Sequence, residues 1–337
     1  METRKIMSLG KYSLVVSLPK EWLKMSSLDK GDNVTMLIQR DLSLIIHPGV
    51  EAGDKQKEII LTIDPDTTEE SIIRSIIGCY LNGYNTIKLK TSRIFSVEQN
   101  RAIRSVITSL YLRIIESTAS QIIIQSLMDE SMASVVSGIE RMHIITSSMC
   151  QDVLNAITNW DEALAKSVLS LEGDVDQFMY FLLRLIRGAA SNPSLASQLG
   201  LDMVDCLDYQ TLVHRIERIA DHLTNISNRI INLCKRELDI TDDVHNILIN
   251  AGELTFSAYE RAVEAFLSGN LEDIDEIINT QYKIEDIEEL IRPLPYLGER
   301  EDKLTTSNIF AIRDSINRIS EHTADIAELA IDRKYKG

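Results

Sequence analysis

A helical motif occurs twice in this chain, at a spacing of 100 residues. Residues 215–222 read RIERIADH and residues 315–322 read SINRISEH. From about residue 131 to the end, apolar residues recur every three to four positions, which is typical of amphipathic helices. An internal duplication of this kind predicts two copies of one helical unit rather than a single irregular bundle.

The two copies divide near residues 238–242, where Asp239, Thr241 and Asp242 offer a new helix cap. Each half reads as two long helices, a Pro-containing break and a final long helix. The breaks fall at 192–193 and at 292–295. The sequence therefore predicts helical repeats over 131–238 and 239–337.

The composition agrees with a mainly helical protein. The 337 residues include only 14 Gly and 6 Pro, aromatic residues make up 5%, and hydrophobic residues make up 44%. Few turn-forming residues disfavour an all-β fold, and the apolar content excludes wholesale disorder. The four cysteines, 79, 150, 206 and 234, form no CxxC pair, so neither a disulfide scaffold nor a zinc ribbon is indicated.

The first 130 residues follow other patterns. Residues 3–48 read as four short strands, too few to bury a core alone, so we expect this domain (1–50) to dimerise. Residues 57–126 alternate between strand and helix and predict a βαβαβ middle unit within 51–130, without a Gly-rich phosphate loop. The predicted fold class is mainly α with a small β domain.

Charge is distributed unevenly around a net value of −16. Residues 1–50 carry seven Lys or Arg against five Asp or Glu, whereas residues 131–337 carry 19 against 35. An acidic surface repels nucleic acids and anionic membranes and attracts cations or basic partners. If the chain binds nucleic acid, the first fifty residues must do so.

Three pairs of acidic residues have the spacing i, i+4, which places both members of a pair on one helix face. The pairs are Glu172/Asp176, Glu217/Asp221 and Glu321/Asp325. Two such carboxylates can hold one hard or borderline cation. At about 100° per residue, the first two pairs lie about 60–140° from the centre of the apolar stripe, so they flank the core or face outward. Acidic pairs on helices are also common as merely solvated groups.

The segment 217–226, ERIADHLTNI, closely resembles the E-R-I-x-D-H-x-x-N-I signature of the PhoU family of phosphate-uptake regulators. A tandem repeat of three-helix bundles is also that family's plan. The resemblance implies that acidic E/D-x-x-x-D motifs bind iron, zinc, manganese or nickel. In the first repeat it points to Glu172, Asp176, Glu217 and Asp221.

The second repeat departs from this pattern. Asn317 replaces the counterpart of Glu217, and Gln281 replaces that of Glu172, while Glu285, Glu321 and Asp325 remain. We therefore expect one good metal site and one weak or lost site. His222 and His322 take equal positions in the two repeats and are interpreted as packing residues or, alternatively, as ligands or supports of ligands.

The segment 10–22, GKYSLVVSLPKEW, followed by Gly31-Asp32, is similar to the swapped-hairpin β-barrel of SpoVT/AbrB-type DNA-binding domains. Together the two resemblances are those of archaeal regulators that place such a domain before two PhoU repeats. They imply a homodimer through the N-terminal domain. The basic residues expected to contact the DNA backbone are Arg4, Lys5, Lys11, Lys20 and Lys24.

Two functions follow as hypotheses. The first is a DNA-binding transcriptional regulator of phosphate homeostasis with a metal-binding sensor body. The alternative is an adaptor that binds the phosphate-transporter ATPase or signalling proteins, with a head that only dimerises. Salt-dependent DNA binding distinguishes the two.

An enzymatic function is not expected. A carboxylate-bridged di-iron enzyme needs inward-facing ligands and a Glu-x-x-His motif on each of two helices. The sequence has this spacing once, at Glu140 and His143, and no Glu lies three residues before His214, His222 or His322. No nucleophile triad or nucleotide-binding loop is visible. Charges interrupt the apolar runs and no signal peptide opens the chain, so we expect a cytoplasmic protein without membrane insertion.

Overall fold

A computed structural model describes residues 2–38, 42–49, 57–126, 128, 130–235, 240–291 and 303–336. The chain divides into two units, Met1–Lys55 and Gln56–Gly337. The predicted domain boundaries near 50 and 238 lie outside the described residues.

The first unit contains two short antiparallel ladders. Strand β1 pairs with β2, with Met7 opposite Val15, and β3 pairs with β4, with Val34 opposite Pro48. The elements are β1 Met7–Leu9, β2 Ser13–Val15, α1 Lys20–Met25, β3 Val34–Ile38 and β4 Leu44–Pro48. The two ladders are separate sheets in the chain. One chain thus has no closed barrel among its described residues, and the swapped barrel, which requires a second chain, stays a prediction.

The middle unit is a four-stranded sheet in the order β5-β6-β8-β7, in which only the β5–β6 pair is parallel. Its elements are β5 Lys57–Thr62, α2 Glu69–Leu81, β6 Tyr84–Lys90, α3 Val97–Ser109, β7 Leu112–Ser117 and β8 Gln121–Ser126. The predicted βαβαβ pattern is therefore corrected to βαβαββ. The extra strand β7 lies at the sheet edge, and Leu112 is its only buried residue. Because one face of the strand is not regularly buried, its sequence does not show the apolar alternation that predicts a strand.

Side chains cap the N-termini of both helices of the middle unit. Thr68 accepts a hydrogen bond from the backbone N–H of Ser71 at the start of α2. Ser96 and Gln99 form a reciprocal capping box at the start of α3. These caps satisfy backbone donors that a helix start leaves unpaired.

The helical body is built from two units of three long helices, as predicted. The first repeat has α4 Val135–Asn159, α5 Glu162–Ser191, a short α6 Pro193–Leu199 and α7 Met203–Cys234; the second has α8 Asp242–Ser268, α9 Ile274–Ile291 and α10 Lys303–Lys334. Helices α7 and α10 begin and end at positions 100 residues apart. The break at Asn192-Pro193 is confirmed, because Asn192 caps α6 and Pro193 occupies its first turn. The break at 292–295 lies outside the described residues.

One apolar core runs through both repeats, and a smaller one fills the middle unit. Arg184 joins the middle unit to the first repeat: it is 2% exposed, pairs with Glu130 at 2.6 Å, and donates to the carbonyl oxygens of Tyr80 and Tyr84. Within the described part of the chain, no helix is both long and apolar enough to span a bilayer.

Candidate functional site

Helices α5 and α7 pack against each other and bring two acidic pairs together. Glu172 and Asp176 come from α5, and Glu217 and Asp221 come from α7; all four are half-buried. We call these four residues the carboxylate cluster. The negative charge of Asp221 acts on each of the other three. The structure therefore places the four sequence-predicted residues of the first repeat side by side, flanking the core as their helical angles indicate.

Burial and mutual repulsion disfavour charge in this cluster. Desolvation, followed by the charges of Asp221 and Glu172, raises the pKa of Asp176 to about 6. Desolvation and Asp221 also raise the pKa of Glu217 to about 7, against the opposing effect of Arg218. The pKa of Glu172 is raised by the same two causes. Carboxylates held together in this way gain stability from a cation.

Two residues that the sequence analysis did not single out complete the cluster. Arg218 lies 3.2 Å from Asp221 and 3.6 Å from Glu217, with a side chain that is 61% exposed. Tyr180 lies one turn beyond Asp176 on α5, and its pKa is raised by burial and then by the charge of Asp176. The spacing 172, 176, 180 along one helix face was the available sequence signal for Tyr180.

The fit of a metal ion can be judged from the donor set. Four neighbouring carboxylates, of which Glu172, Asp176 and Glu217 have pKa values raised by burial and by the charge of Asp221, suit a hard or borderline cation in chemistry and charge. In position they do not converge: the described residues contain no group of three His, Cys, Asp or Glu side chains arranged to hold a metal. The Arg218 guanidinium supplies the positive charge next to Glu217 and Asp221 instead.

The carboxylates of the second repeat have different surroundings from those of the carboxylate cluster. Asp325 pairs with Arg215 of the first repeat at 3.1 Å, and Glu321 pairs with Arg318 at 2.8 Å. Amides have taken two of the acidic positions: Gln281 donates to Glu285, and Asn317 donates to Glu321. Each remaining carboxylate therefore has a partner within the protein. The weaker second metal site stays a prediction.

A pseudo-two-fold relation connects the two repeats. Arg215 pairs with Asp325, and Asn225 donates to Ser315, so α7 and α10 run antiparallel. These two contacts join equivalent positions, because 215 corresponds to 315 and 225 to 325. His222 and His322 face each other near the centre of this pair, with ring centroids 5.8 Å apart. Burial lowers the pKa of both imidazoles, which favours their interpretation as neutral packing residues.

The five predicted DNA-contacting residues lie in the first unit, and all are exposed. They are Arg4, Lys5, Lys11, Lys20 and Lys24. Lys20 and Lys24 project from one face of α1. Arg4 is engaged by Glu2 at 2.6 Å and donates to Ser17. The remaining four form no ion pair among the described residues.

Comparison with known proteins identifies the class of the helical body. The PhoU domain matches at residues 139–230 and again at 248–330, one match for each repeat. These matches cover more than half of the chain, which therefore belongs to the PhoU family.

Two solved structures resemble the chain in fold. PhoU from Pseudomonas aeruginosa aligns at 22% identity with a TM-score of 0.50, covering 58% of this chain and 93% of that one. The phosphate transport system regulatory protein PhoU from Streptococcus pneumoniae aligns at 14% identity with a TM-score of 0.50, covering 60% of this chain and 94% of that one. A search of curated proteins yields no match.

Proposed function

We propose that this chain is a PhoU-type regulator of phosphate uptake whose first repeat binds a transition-metal ion and whose N-terminal unit dimerises and binds DNA. The observation that carries the regulatory assignment is the pair of PhoU-domain matches on two structurally equivalent three-helix repeats. The proposal is a non-enzymatic, cytoplasmic role. The proposed link to phosphate rests on the name of the similar Streptococcus pneumoniae protein, the phosphate transport system regulatory protein PhoU.

The metal would be held by the carboxylate cluster, whose side chains do not converge in this structure and would have to turn toward the ion when it binds. Glu172, Asp176, Glu217 and Asp221 supply the oxygen donors, and Fe, Zn, Mn or Ni would neutralise their repulsion when bound. Arg218 competes for the same negative charge. Because its side chain is 61% exposed, it is free to move into solvent when a cation arrives. Glu285, Glu321 and Asp325 form the weaker second site, since each already has an internal partner.

Dimerisation of the N-terminal unit is supported by its lack of a core. None of the described residues of Met1–Lys55 belongs to either apolar core, and many large apolar side chains are exposed on its ladders. These include Met7, Leu9, Leu14, Met36, Ile38 and Leu44. A second copy that covers these side chains would complete the small fold. It would also double the exposed basic residues on one surface.

The regulatory role is tested by phosphate uptake in cells that lack the chain. Deletion should change the uptake of labelled phosphate or its response to phosphate starvation, and the full chain should restore it. A chain with Glu217→Gln and Asp221→Asn should restore it only in part. Unchanged uptake after deletion, in both rich and poor phosphate, would contradict the regulatory proposal.

DNA binding separates the regulator from the adaptor, the second candidate. The full chain should bind duplex DNA with an affinity that falls steeply between about 50 and 200 mM salt, because phosphate contacts release counterions. The variant Lys11→Gln/Lys20→Gln/Lys24→Gln should lose this binding, while Lys57→Gln, outside the unit, should keep it. Absence of salt-dependent DNA binding would favour the adaptor function, in which the partners are the phosphate-transporter ATPase or a signalling protein.

A further inference from the structure

The two ends of the antiparallel pair α7–α10 are built differently. At the end where α7 begins, Arg333 lies 3.0 Å from Asp205, and Lys336 lies 2.7 Å from both Asp202 and Asp205. Arg333 also lies over the rings of Tyr209 and Phe266. The protein's own acids therefore neutralise the cations at this end.

The opposite end holds a cavity of about 470 Å³ between the last turns of α7 and the first turns of α10. It is lined by Arg229, Asn232, Lys235, Leu304, Ser307 and Asn308. Two of these side chains are cations and three are neutral hydrogen-bonding groups. No carboxylate lies among the lining residues.

The duplication accounts for part of this difference in charge. With the offset of 100 residues, Thr305 and Asn308 stand where the other end has Asp205 and Asp208, so two acidic positions of one end are neutral polar residues at the other. The cations also differ between the ends, because Leu329 and Tyr335 stand at the counterparts of Arg229 and Lys235. The counterpart of Asp202 is Asp302, which lies outside the described residues.

The two cations of the cavity have no acidic partner in the part of the chain that the structure describes. Among the described residues, neither Arg229 nor Lys235 takes part in an ion pair. The charge of Lys235 acts on Glu162, which already pairs with Lys166 at 2.7 Å. The chain has a net charge of −16, yet these two cations share one cavity and form no ion pair with an acid of the described residues. Such a site favours the binding of an anion.

The cavity wall is partly preorganised. The Nε–H of Arg229 donates to the Asn225 side chain at 3.3 Å, which restrains the guanidinium. Asn308 is 7% exposed, and its side-chain amide donates to the carbonyl oxygen of Leu304 at 2.9 Å. Restrained donors lose less conformational entropy when a ligand binds.

We propose that this cavity binds a small phosphorylated metabolite through its phosphate group. Guanidinium and ammonium groups beside hydroxyl and amide donors are the groups that recognise phosphate. The volume lies within the range of small-molecule sites, roughly 300–1,000 Å³, and exceeds what inorganic phosphate needs. Leu304, 54% exposed, offers an apolar surface for the remainder of the molecule.

Isothermal titration of the full chain tests this proposal with two probes, inorganic phosphate and AMP. We expect saturable one-site binding of AMP, at least tenfold tighter than that of inorganic phosphate. The variant Arg229→Gln/Lys235→Gln should weaken AMP binding at least tenfold. The control Lys90→Gln, which removes an exposed lysine of β6, should leave it unchanged. Equal affinity for both probes would mean that only the phosphate group is recognised, which would overturn the proposal of a larger metabolite.

A second variant guards against loss of folding. Ser307→Glu places a carboxylate at an exposed position of the cavity and should also abolish AMP binding while circular dichroism stays unchanged. Absence of saturable binding to wild type, or equal binding by all variants, would overturn the proposal. The cavity lies at least two turns along α7 from the carboxylate cluster, so a failure here is distinct from a failure of metal binding.

Discussion

Arg333, at the end of α10, donates a 3.0 Å hydrogen bond to Asp205, at the start of α7, and so joins the last helix of the second repeat to the last helix of the first. Asp205 is 5% exposed, and the Arg333 guanidinium also lies 4.7 Å from the ring of Tyr209. This contact holds one end of the inter-repeat helix pair closed.

Replacement of Arg333 by Met should lower the free energy of unfolding by about 2 kcal/mol. Part of the loss comes from the cation–π contacts and part from leaving the buried Asp205 carboxylate with only Lys336 and the Asp202 backbone N–H as partners. Urea denaturation measures the change. Lys166→Ala, which breaks an exposed pair, should change stability by less than about 0.5 kcal/mol. Equal effects of the two variants would contradict the role of Arg333.

Replacement of Arg184 by Met should destabilise the protein more than replacement of Arg333. Its guanidinium is buried, and its loss leaves Glu130 without its ion-pair partner and removes one donor from each of the carbonyl oxygens of Tyr80 and Tyr84. We expect a loss of about 3 kcal/mol or more and earlier proteolysis of the middle unit. The nearby Arg187→Ala, which removes one exposed hydrogen bond to Asn82, is the control and should cost less than about 1 kcal/mol.

Two helical glycines give a matched test of packing. A Cβ at Gly138 would lie 2.6 Å from the buried Leu182 side chain, whereas a Cβ at Gly173 would meet nothing within 4 Å. Gly138→Ala should therefore destabilise the protein by about 1–2 kcal/mol through overpacking. Gly173→Ala should stabilise it by about 0.5–1 kcal/mol, because alanine favours helix. Thermal unfolding should show a lower midpoint temperature for Gly138→Ala and a higher one for Gly173→Ala. Midpoint shifts of the same sign would contradict the difference in packing at the two glycines.

The raised pKa values of the carboxylate cluster predict a pH-dependent stability. Because the pKa of Asp176 is about 6 and that of Glu217 about 7, the folded state binds more protons than the unfolded state between about pH 4 and 7. Their contribution to the free energy of unfolding therefore falls as the pH rises through this interval.

The variant Asp176→Asn/Glu217→Gln removes that contribution. It should be more stable than wild type by on the order of 1–2 kcal/mol near pH 8 and little different near pH 4.5. Urea denaturation of metal-free protein at both pH values measures the two differences. A difference that does not change with pH would contradict the raised pKa values.

Much of this architecture follows from the sequence, because the apolar period of 3.6 and the 100-residue offset fix the helices and their duplication. The edge strand β7 was not predictable in the same way, since only Leu112 of its residues is buried. The four carboxylates were found because each pair lies on one helix face. Local helical spacing also places Arg218 beside Asp221 and Tyr180 one turn beyond Asp176. The approach of the two acidic pairs depends on how α5 packs against α7, and no local pattern encodes that contact. The cavity at Arg229 and Lys235 likewise arises only where α7 meets α10.

The most direct test of the central claim is metal binding by the stripped full chain, measured by titration with Fe, Zn, Mn and Ni. The account predicts one tight site in wild type that disappears in Glu217→Gln/Asp221→Asn. The site should remain in Glu321→Gln/Asp325→Asn, the matched change in the second repeat, and should tighten severalfold in Arg218→Gln, which removes the competing guanidinium. No stoichiometric metal in wild type, or equal binding by both double variants, would contradict it.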